Sequence, residues 1–306
     1  MKKSICDKLL EHFPLVSEYE DFFSANSANL IFNIYLSHTA IVLNILAIHA
    51  IRKTSSLSRT LKALLLSLAA SDVGVGLLAH PLYSVFLVNW LQKNNPGCAS
   101  YESFLVIMNF ITGASFFGVI VISLDRFLAI HLHLRYQELV THKRVIAVVI
   151  SGWVLSALAS PLILILESDI HHLFLTSLGA TGLIITGMVY IKMYLVLQRH
   201  RNDIEAFQVQ PVDQRSEIVN FARLRKSALG TFYVYLAFFV CYLPCAICLT
   251  AFVIYGPIVT LKKYFLYSWT LMFLSSSLNP IIYYWKMRHI RRTIMDILKN
   301  MARHRN

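Results

Sequence analysis

Seven long apolar runs dominate the chain, and short polar stretches separate them. A helix needs about 20 mostly apolar residues to cross the hydrocarbon core of a bilayer, and a strand needs about ten. Backbone groups within lipid must be paired inside their own structure, so runs of this length predict helices. This pattern predicts an all-α membrane protein, a seven-transmembrane helix bundle. The runs lie at roughly 29–51, 60–88, 99–131, 143–166, 172–199, 221–254 and 260–284.

The segment after residue 284 has a different pattern, in which apolar and basic residues alternate with helical spacing. Ile290, Ile294, Leu298 and Met301 fall close to one helical face, and basic residues cover the rest. Such a helix lies along a membrane surface and is attracted by anionic lipids. The chain therefore divides into an N-terminal segment (1–28), a membrane domain (29–284), and a short amphipathic eighth helix with a tail (285–306).

Charge and composition agree with this division. Hydrophobic residues make up 57% of the chain and charged residues 14%, whereas a soluble domain carries charge on about a quarter of its residues. The net charge of +12 comes from basic residues between the apolar runs, which argues against a nucleic-acid-binding face. The connections at 52–62, 132–144 and 199–226 and the tail hold most of them. The opposite connections hold only Lys2, Lys3, Lys8, Lys93, Lys262 and Lys263.

The excess of positive charge marks the cytoplasmic side of a membrane protein. We therefore expect a multi-pass plasma-membrane protein with its N-terminus extracellular and its C-terminus cytoplasmic.

Three polar features lie within or at the end of the runs. Asp72 sits near the middle of the second run, where a carboxylate is costly and marks a functional site; a purely structural hydrogen-bonding role is the alternative. Asp125 and Arg126 end the third run as an adjacent charge pair. Pro244 and the Asn279–Pro280 pair lie inside the sixth and seventh runs, where proline removes a backbone hydrogen bond and bends a helix.

Taken together, these features resemble the rhodopsin-like (class A) receptor family over nearly the whole chain. Six motifs occur in the family's order, each on the corresponding span. They are Asn44, the LAASD sequence ending in Asp72, Asp125-Arg126-Phe127, Trp153, Cys241-Tyr242-Leu243-Pro244 and Asn279-Pro280-Ile281-Ile282-Tyr283.

A narrower resemblance concerns the group of melanocortin, lipid and adenosine receptors. The segments DRFLAIHLHLRYQELVTHKR and NPIIYYWKMRHIRRTIMDIL are similar to those of adenosine receptors. The short outer loop after Leu166 and a fifth span without proline are more similar to melanocortin receptors.

The resemblance implies a receptor that passes an extracellular ligand's signal to a heterotrimeric G protein, not an enzyme. In the family the second-span aspartate binds a sodium ion, and the matching residues here are Asp72, Ser115, Ser275 and Asn279. Oxygen ligands suit such a hard cation. A water-filled polar cluster is the alternative, and we expect no other cofactor.

The resemblance also implies the activation machinery. Asp125 would hold Arg126 at rest, and Arg126 and Leu134 would contact the G protein after the sixth span moves outward. The acidic partner that some relatives have on that span is Leu224 here, which predicts raised ligand-free signalling. The other switch residues are Tyr190, Phe116, Phe238, Tyr242, Pro244, Asn279, Pro280 and Tyr283, with Gly182 in place of the family's fifth-span proline.

Well-known ligand anchors of the family are absent from the matching positions. Met108 replaces the aspartate of amine receptors, Phe273 the retinal-binding lysine of opsins, and Leu249 the asparagine of adenosine receptors. Leu82, Tyr101 and Leu105 replace the acidic cluster of melanocortin receptors.

The candidate pocket wall is mostly apolar, as small-molecule pockets usually are. We therefore expect an apolar or lipid-like small molecule, or a small peptide, as the ligand. The wall consists of Met108, Asn109, Thr112, Tyr242, Leu249, Trp269 and Phe273.

Two questions remain open at the sequence level. Cys98 lies near the outer end of the third span without a cysteine partner in the next outer loop, so it either pairs with Cys6 or is a free thiol. A seven-helix channel or transporter that uses Asp72 as an ion site is the alternative function. A membrane enzyme ranks last, because no metal-binding histidine pair or nucleophile–base set lies at one membrane depth.

Overall fold

The computed structural model describes residues 11–14, 16–94, 97–132, 135–165, 168–206 and 214–303. Within these ranges every regular element is a helix, and seven long helices form the predicted all-α bundle. An eighth helix follows. The long helices are α1 (Tyr19–Lys53), α2 (Arg59–Leu91), α3 (Cys98–His131), α4 (His142–Leu164), α5 (Ser168–Ala206), α6 (Gln214–Tyr255) and α7 (Val259–Lys286), and the last is α8 (Arg288–Arg303).

Local signals in the sequence explain several helix ends. The Ser58 side chain accepts a hydrogen bond from the Leu61 amide, and that of Thr141 accepts one from the Arg144 amide, so both residues are N-caps. Gly256 adopts a positive φ of 74° at the end of α6, which glycine does readily. A π-helical turn interrupts α2 at Val75–Ala79, just before Pro81.

Two boundaries differ from the hydrophobic pattern. Helix α1 begins at Tyr19, about ten residues before the apolar run, because Asn26, Asn29 and Asn33 are buried inside the bundle and extend its inward face. Helices α5 and α6 reach Ala206 and Gln214, so the connection expected at 200–220 is mostly helical. The sequence there is polar because the helices project beyond the apolar runs.

In the described part of the chain, six helices, α1 to α6, are long and apolar enough to cross a membrane. Helix α7, with 28 residues, carries a serine run and Asn279 instead of a uniformly apolar sequence. Its polar residues Ser275, Ser276, Ser277 and Asn279 are buried between helices, so α7 completes the bundle between α1 and α6.

Large apolar side chains cover the outer surface of the bundle. Ile31 is 70% exposed, and Tyr35 and Leu158 are each 68% exposed. A soluble protein seldom exposes apolar surface of this extent to water. In a lipid bilayer the same surface contacts acyl chains, so its exposure has no such cost. This distribution confirms a transmembrane protein.

We call the end of the bundle that holds residues 11–18 the outer end, and the end that holds α8 the inner end. The core is divided accordingly into two clusters. The outer cluster is rich in aromatic rings, among them Phe13, Tyr83, Phe104 and Trp269. The inner cluster is mainly aliphatic and includes side chains of α8.

A buried polar network joins α1, α2 and α7 near the outer end. Asn33 Oδ1 lies 2.8 Å from His80 Nδ1, Asn33 Nδ2 donates to Thr270 Oγ1 at 3.4 Å, and Thr270 Oγ1 donates to Asn29 Oδ1 at 3.1 Å. Hydrogen bonds between membrane helices each add modest stability. These three helices are therefore tied together as one unit.

Small residues permit close helix packing where α3 meets α4. A Cβ atom added at Gly152 would lie 2.1 Å from the Phe117 ring. Trp153, the next residue, donates its indole N–H to Ser67 Oγ at 3.0 Å. Glycine at 152 therefore lets α3, α2 and α4 meet without strain.

Helix α8 packs on the inner end through Ile290, Ile294 and Ile297, which are 0%, 5% and 9% exposed. Leu298, expected on the same face, is 45% exposed instead. The buried face of α8 therefore includes Ile297 instead of Leu298, one residue earlier than the pattern predicted. The side chain of Met301 lies outside the described residues.

Cys98, the first residue of α3, is disulfide-bonded. A free thiol, one of the two alternatives, is therefore wrong. Cys6, the partner in the other alternative, lies outside the described residues. Cys241, Cys245 and Cys248 of α6 are free and buried.

Candidate functional site

A cavity of about 250 Å³ occupies the outer half of the bundle. Of the seven residues predicted to form a pocket wall, all but Phe273 line it. Phe273 lies instead beside a much smaller cavity of about 10 Å³, which Met108, Thr112 and Tyr242 also line. Six of the predicted residues therefore lie around one cavity, and their role in ligand binding stays a prediction.

Other lining residues were not foreseen. Leu175, Thr176 and Leu183 come from α5, whose sequence is apolar on every side and gives no sign of its inward face. His12 and Phe13 come from the segment before α1. That segment was expected to be part of an extracellular N-terminus, and no periodicity over so few residues could have placed it in the pocket.

Stacked aromatic rings form the inner boundary of the cavity. The Tyr242 ring lies 4.4 Å from that of Phe238 and 6.4 Å from that of Phe116, measured between centroids. A Cβ atom added at Gly182 would lie 2.8 Å from the Phe116 ring. Glycine at 182 therefore leaves room for Phe116, and the four residues lie close together, while their role as a switch stays a prediction.

Asp72 lies deeper, fully buried between α2 and α7. Asn279 Nδ2 donates a hydrogen bond to its Oδ2 atom at 2.8 Å, and the Ser276 side chain is a second polar neighbour. Ser115 Oγ donates to Ser71 Oγ at 2.9 Å, and Ser275 Oγ donates to the Met272 carbonyl. The Asp72–Asn279 pair thus forms directly, and Ser276 is the neighbour that the sequence comparison did not select.

Several oxygen atoms in this cluster have no hydrogen-bond donor among the described residues. They are Asp72 Oδ1, Asn279 Oδ1 and Asn44 Oδ1, all fully buried. Buried acceptors are normally satisfied, and carboxylate and amide oxygens are suitable ligands for a hard cation. The chemistry of the cluster therefore fits a sodium ion. Within the same described ranges, no group of three His, Cys, Asp or Glu side chains is arranged to hold a metal.

The charge pair at the inner end of α3 is intact. Arg126 Nε donates to Asp125 Oδ2 at 2.9 Å, and Arg126 Nη2 pairs with the same oxygen atom. Both side chains are nearly buried. The hydroxyl of Tyr136, on the short helix Tyr136–Leu139, donates to Asp125 Oδ1 at 2.6 Å. The tyrosine lies in a connection, which gave no signal of this contact.

Arg126 also contacts α6. Its Nη1 atom donates to Ser227 Oγ at 3.4 Å. Leu224, in the position of the acidic partner of some relatives, packs against the inner core cluster. The inner ends of α3 and α6 are therefore joined by a long hydrogen bond from Arg126 to a neutral hydroxyl instead of a second ion pair.

Comparison with known proteins agrees with this geometry. Residues 43–173 match the family of 7 transmembrane receptors (rhodopsin family). The match covers the predicted sodium-site aspartate, the Asp125–Arg126 pair and Trp153. Over these residues the chain is similar to the rhodopsin-like family of seven-transmembrane receptors.

Adenosine receptors are among the relatives of this chain. It is 31% identical to the adenosine receptor A2b of Gallus gallus over 127 residues, which cover 42% of this chain and 36% of that receptor. It is 24% identical to the adenosine receptor A2a of Homo sapiens over 298 residues, covering 85% and 69%. It is 25% identical to the adenosine receptor A3 of Canis lupus familiaris over 305 residues, covering 90% and 92%.

The remaining predicted switch residues of the receptor lie in its inner half. Tyr190 accepts a hydrogen bond from Ser123 Oγ at 3.1 Å, and the fully buried Tyr283 hydroxyl has no partner among the described residues. Pro244 and Pro280 lie within α6 and α7, which continue through them. Leu134, the predicted contact with the G protein, lies outside the described residues.

Proposed function

We propose that this receptor transmits the binding of an extracellular ligand to a heterotrimeric G protein. The position of Arg126 carries the proposal. The guanidinium is 4% exposed, is held by Asp125, and, among the described residues, donates to α6 through the Ser227 hydroxyl. Outward movement of α6 would break this hydrogen bond and free a cation at the inner end. A ligand that favours the opened arrangement would then shift the population toward it.

The test is nucleotide exchange on purified G proteins in membranes that contain the receptor, with a ligand screen and without ligand. We expect stimulated exchange that Arg126→Ala abolishes, because the cation is the element released to the G protein. Arg52→Ala, which removes an exposed arginine at the end of α1, is the matched control. Ion flux without any exchange would instead support a channel or transporter.

The ligand that the cavity suits best is neutral and largely apolar. Leu105, Met108, Leu249 and Trp269 dominate the described walls, and Asn109, Thr112 and Thr176 offer the polar contacts. The Thr176 hydroxyl is buried without a hydrogen-bond partner among the described residues. A ligand with one acceptor or donor on an apolar body would satisfy it, since unpaired buried groups are costly.

Adenosine is the ligand that the relatives' names suggest. Leu249 lines the cavity here, at the position where adenosine receptors use an asparagine. A leucine side chain offers no hydrogen bond to a purine. Adenosine should therefore fail to stimulate exchange at concentrations that saturate adenosine receptors.

We also propose that sodium binds beside Asp72 and favours the resting arrangement. The buried oxygens of Asp72, Asn279 and Asn44 support this, because they have no hydrogen-bond donors among the described residues. Replacing sodium by N-methyl-D-glucamine should raise ligand-free nucleotide exchange in the unmodified receptor. Asp72→Asn should remove this sodium effect, because the amide carries no charge.

Asp21→Asn, which neutralises an exposed carboxylate in the first turn of α1, should leave the sodium effect intact. Equal sodium sensitivity in Asp72→Asn and the unmodified receptor would show that the cluster holds only water.

A further inference from the structure

Three residues of the segment before the first helix, at 12–14, lie inside the bundle. His12 and Phe13 are 7% and 2% exposed, and both line the main cavity. Pro14 is buried as well. A solvated terminus would leave such side chains in water, so this segment is held by specific contacts.

The Phe13 ring occupies a subsite built from aromatic rings. All four neighbours present their planes at steep angles, between 66° and 77°, with centroids 4.9 to 5.7 Å away. Edge-to-face contacts of this geometry are attractive beyond the apolar area that they bury. The four rings come from α2, α3 and α7 and belong to Phe86, Tyr101, Phe265 and Trp269.

Hydrogen bonds, an ion pair and a further ring contact fix the chain on both sides of this ring. The Trp90 indole donates to the Pro14 carbonyl oxygen at 3.0 Å. The His12 ring lies edge-on to that of Phe252, with centroids 4.9 Å apart. Lys262, itself 3% exposed, donates to both carboxylate oxygens of Glu18 at 3.1 Å. The segment is therefore anchored to α2, α6 and α7 at once.

We propose that His12–Phe13–Pro14 is a tethered ligand, whose phenyl ring fills an aromatic subsite at the outer end of the cavity. An external ligand reaches the cavity only after this ring leaves, and a ligand that carries its own aromatic group competes for the same subsite. The inference rests on the proposed function only in identifying the cavity as the ligand pocket. Occupation of the subsite by Phe13 can be measured without measuring G-protein activation.

Cys245 provides a native reporter of access. Its thiol is free, its side chain is 7% exposed, and it lines the same cavity. The full-length receptor in lipid nanodiscs is treated with a charged methanethiosulfonate, which does not enter lipid, and modification of Cys245 is followed by mass spectrometry. Phe13→Ala should accelerate modification about tenfold or more, because opening no longer breaks the four ring contacts.

Matched variants separate this result from a general loosening of the fold. Phe23→Ala removes a half-exposed ring on α1 that does not line the cavity, and it should leave the rate unchanged. Phe13→Tyr keeps the ring and should restore slow modification. Cys245→Ala should remove the signal.

Equal modification rates in the unmodified receptor and Phe13→Ala would overturn the proposal. So would acceleration by Phe23→Ala of the same size as that by Phe13→Ala. A receptor that couples to no G protein would still give the expected difference, so failure of the proposed function is distinguishable from failure of this one.

Discussion

Asp125 is the residue on which the contacts at the inner end of α3 converge. It accepts hydrogen bonds from Arg126 on its own helix and from Tyr136 on the following connection. Burial and the neighbouring Asp125 carboxylate raise the pKa of Tyr136 to about 12. The phenol therefore stays protonated and donates to Asp125 throughout the physiological pH range. The Thr60 hydroxyl of α2 lies 3.1 Å from the Tyr136 hydroxyl, so α2 also contacts this tyrosine.

Tyr136→Phe should raise ligand-free nucleotide exchange. The substitution removes the donor to Asp125 Oδ1 and leaves the ring, so Asp125 holds Arg126 in a less fixed position. A hydrogen bond of a partly exposed phenol to a carboxylate contributes about 1 kcal/mol, which corresponds to about a fivefold shift in population. Nucleotide exchange on purified G protein, without ligand, measures this shift.

Tyr194→Phe provides the comparison, because that tyrosine lies on α5 with 62% of its side chain exposed. It should change nothing. Unaltered exchange in Tyr136→Phe would mean that Arg126 is held by Asp125 alone.

Between elements, close packing in the described bundle occurs where a glycine faces a large side chain. Helix α4 lies against α3 at Gly152 and Phe117, and the π-helical turn of α2 lies against α1 at Gly76 and Ile41. Membrane helices associate mainly through such close contacts, since lipid gives apolar side chains no reason to leave it. The helix interface, more than the apolar content, therefore sets the stability of the bundle.

Gly152→Ala should lower the thermal stability of the purified receptor. The added methyl group would lie 2.1 Å from the Phe117 ring, and overpacking of this kind costs about 1–3 kcal/mol. A thermal unfolding assay in detergent measures the loss.

Gly179→Ala is the matched control, because a Cβ atom there meets nothing within 4 Å. It should preserve stability or raise it slightly, since alanine favours helices. The double variant Gly152→Ala/Phe117→Leu should recover part of the loss. Equal effects of both glycine substitutions would place the cause in helix propensity and not in packing.

The sequence predicted the elements well because a long apolar run has few other solutions in lipid. It also predicted the Asp72–Asn279 and Asp125–Arg126 pairs, which motifs identify by residue type. It did not predict Phe13, Thr176 or Tyr136, since each reaches its site from a connection or from a helix that is apolar all round. Tertiary packing alone decides where such side chains point.

In the whole molecule, the two ends of the bundle differ in chemistry. The outer end contains the aromatic cluster and the cavity, and the inner end contains an aliphatic cluster that α8 extends. Near the outer end, the network of Asn29, Asn33, His80 and Thr270 ties α1, α2 and α7 together. Rearrangement is therefore expected at α3, α5 and α6, which surround the Tyr242 ring stack.

The N-terminus should face the outside of the cell. Basic residues concentrate in the connections at the inner end, and such residues remain on the cytoplasmic side during insertion. An epitope tag at the N-terminus should be detected by antibody on intact cells. A tag at the C-terminus should be detected only after permeabilisation, and the reverse pattern would contradict the assignment.

Phe116 and Gly182 occupy one shared volume, since any side chain at 182 begins 2.8 Å from the ring. Neither position is free to diverge alone. A lineage that acquires alanine or proline at 182 must also replace Phe116 by a smaller side chain or turn its ring. A lineage that loses the ring can accept a larger side chain at 182. Across orthologues the two sites should therefore covary, leaving an evolutionary trace of a steric exclusion.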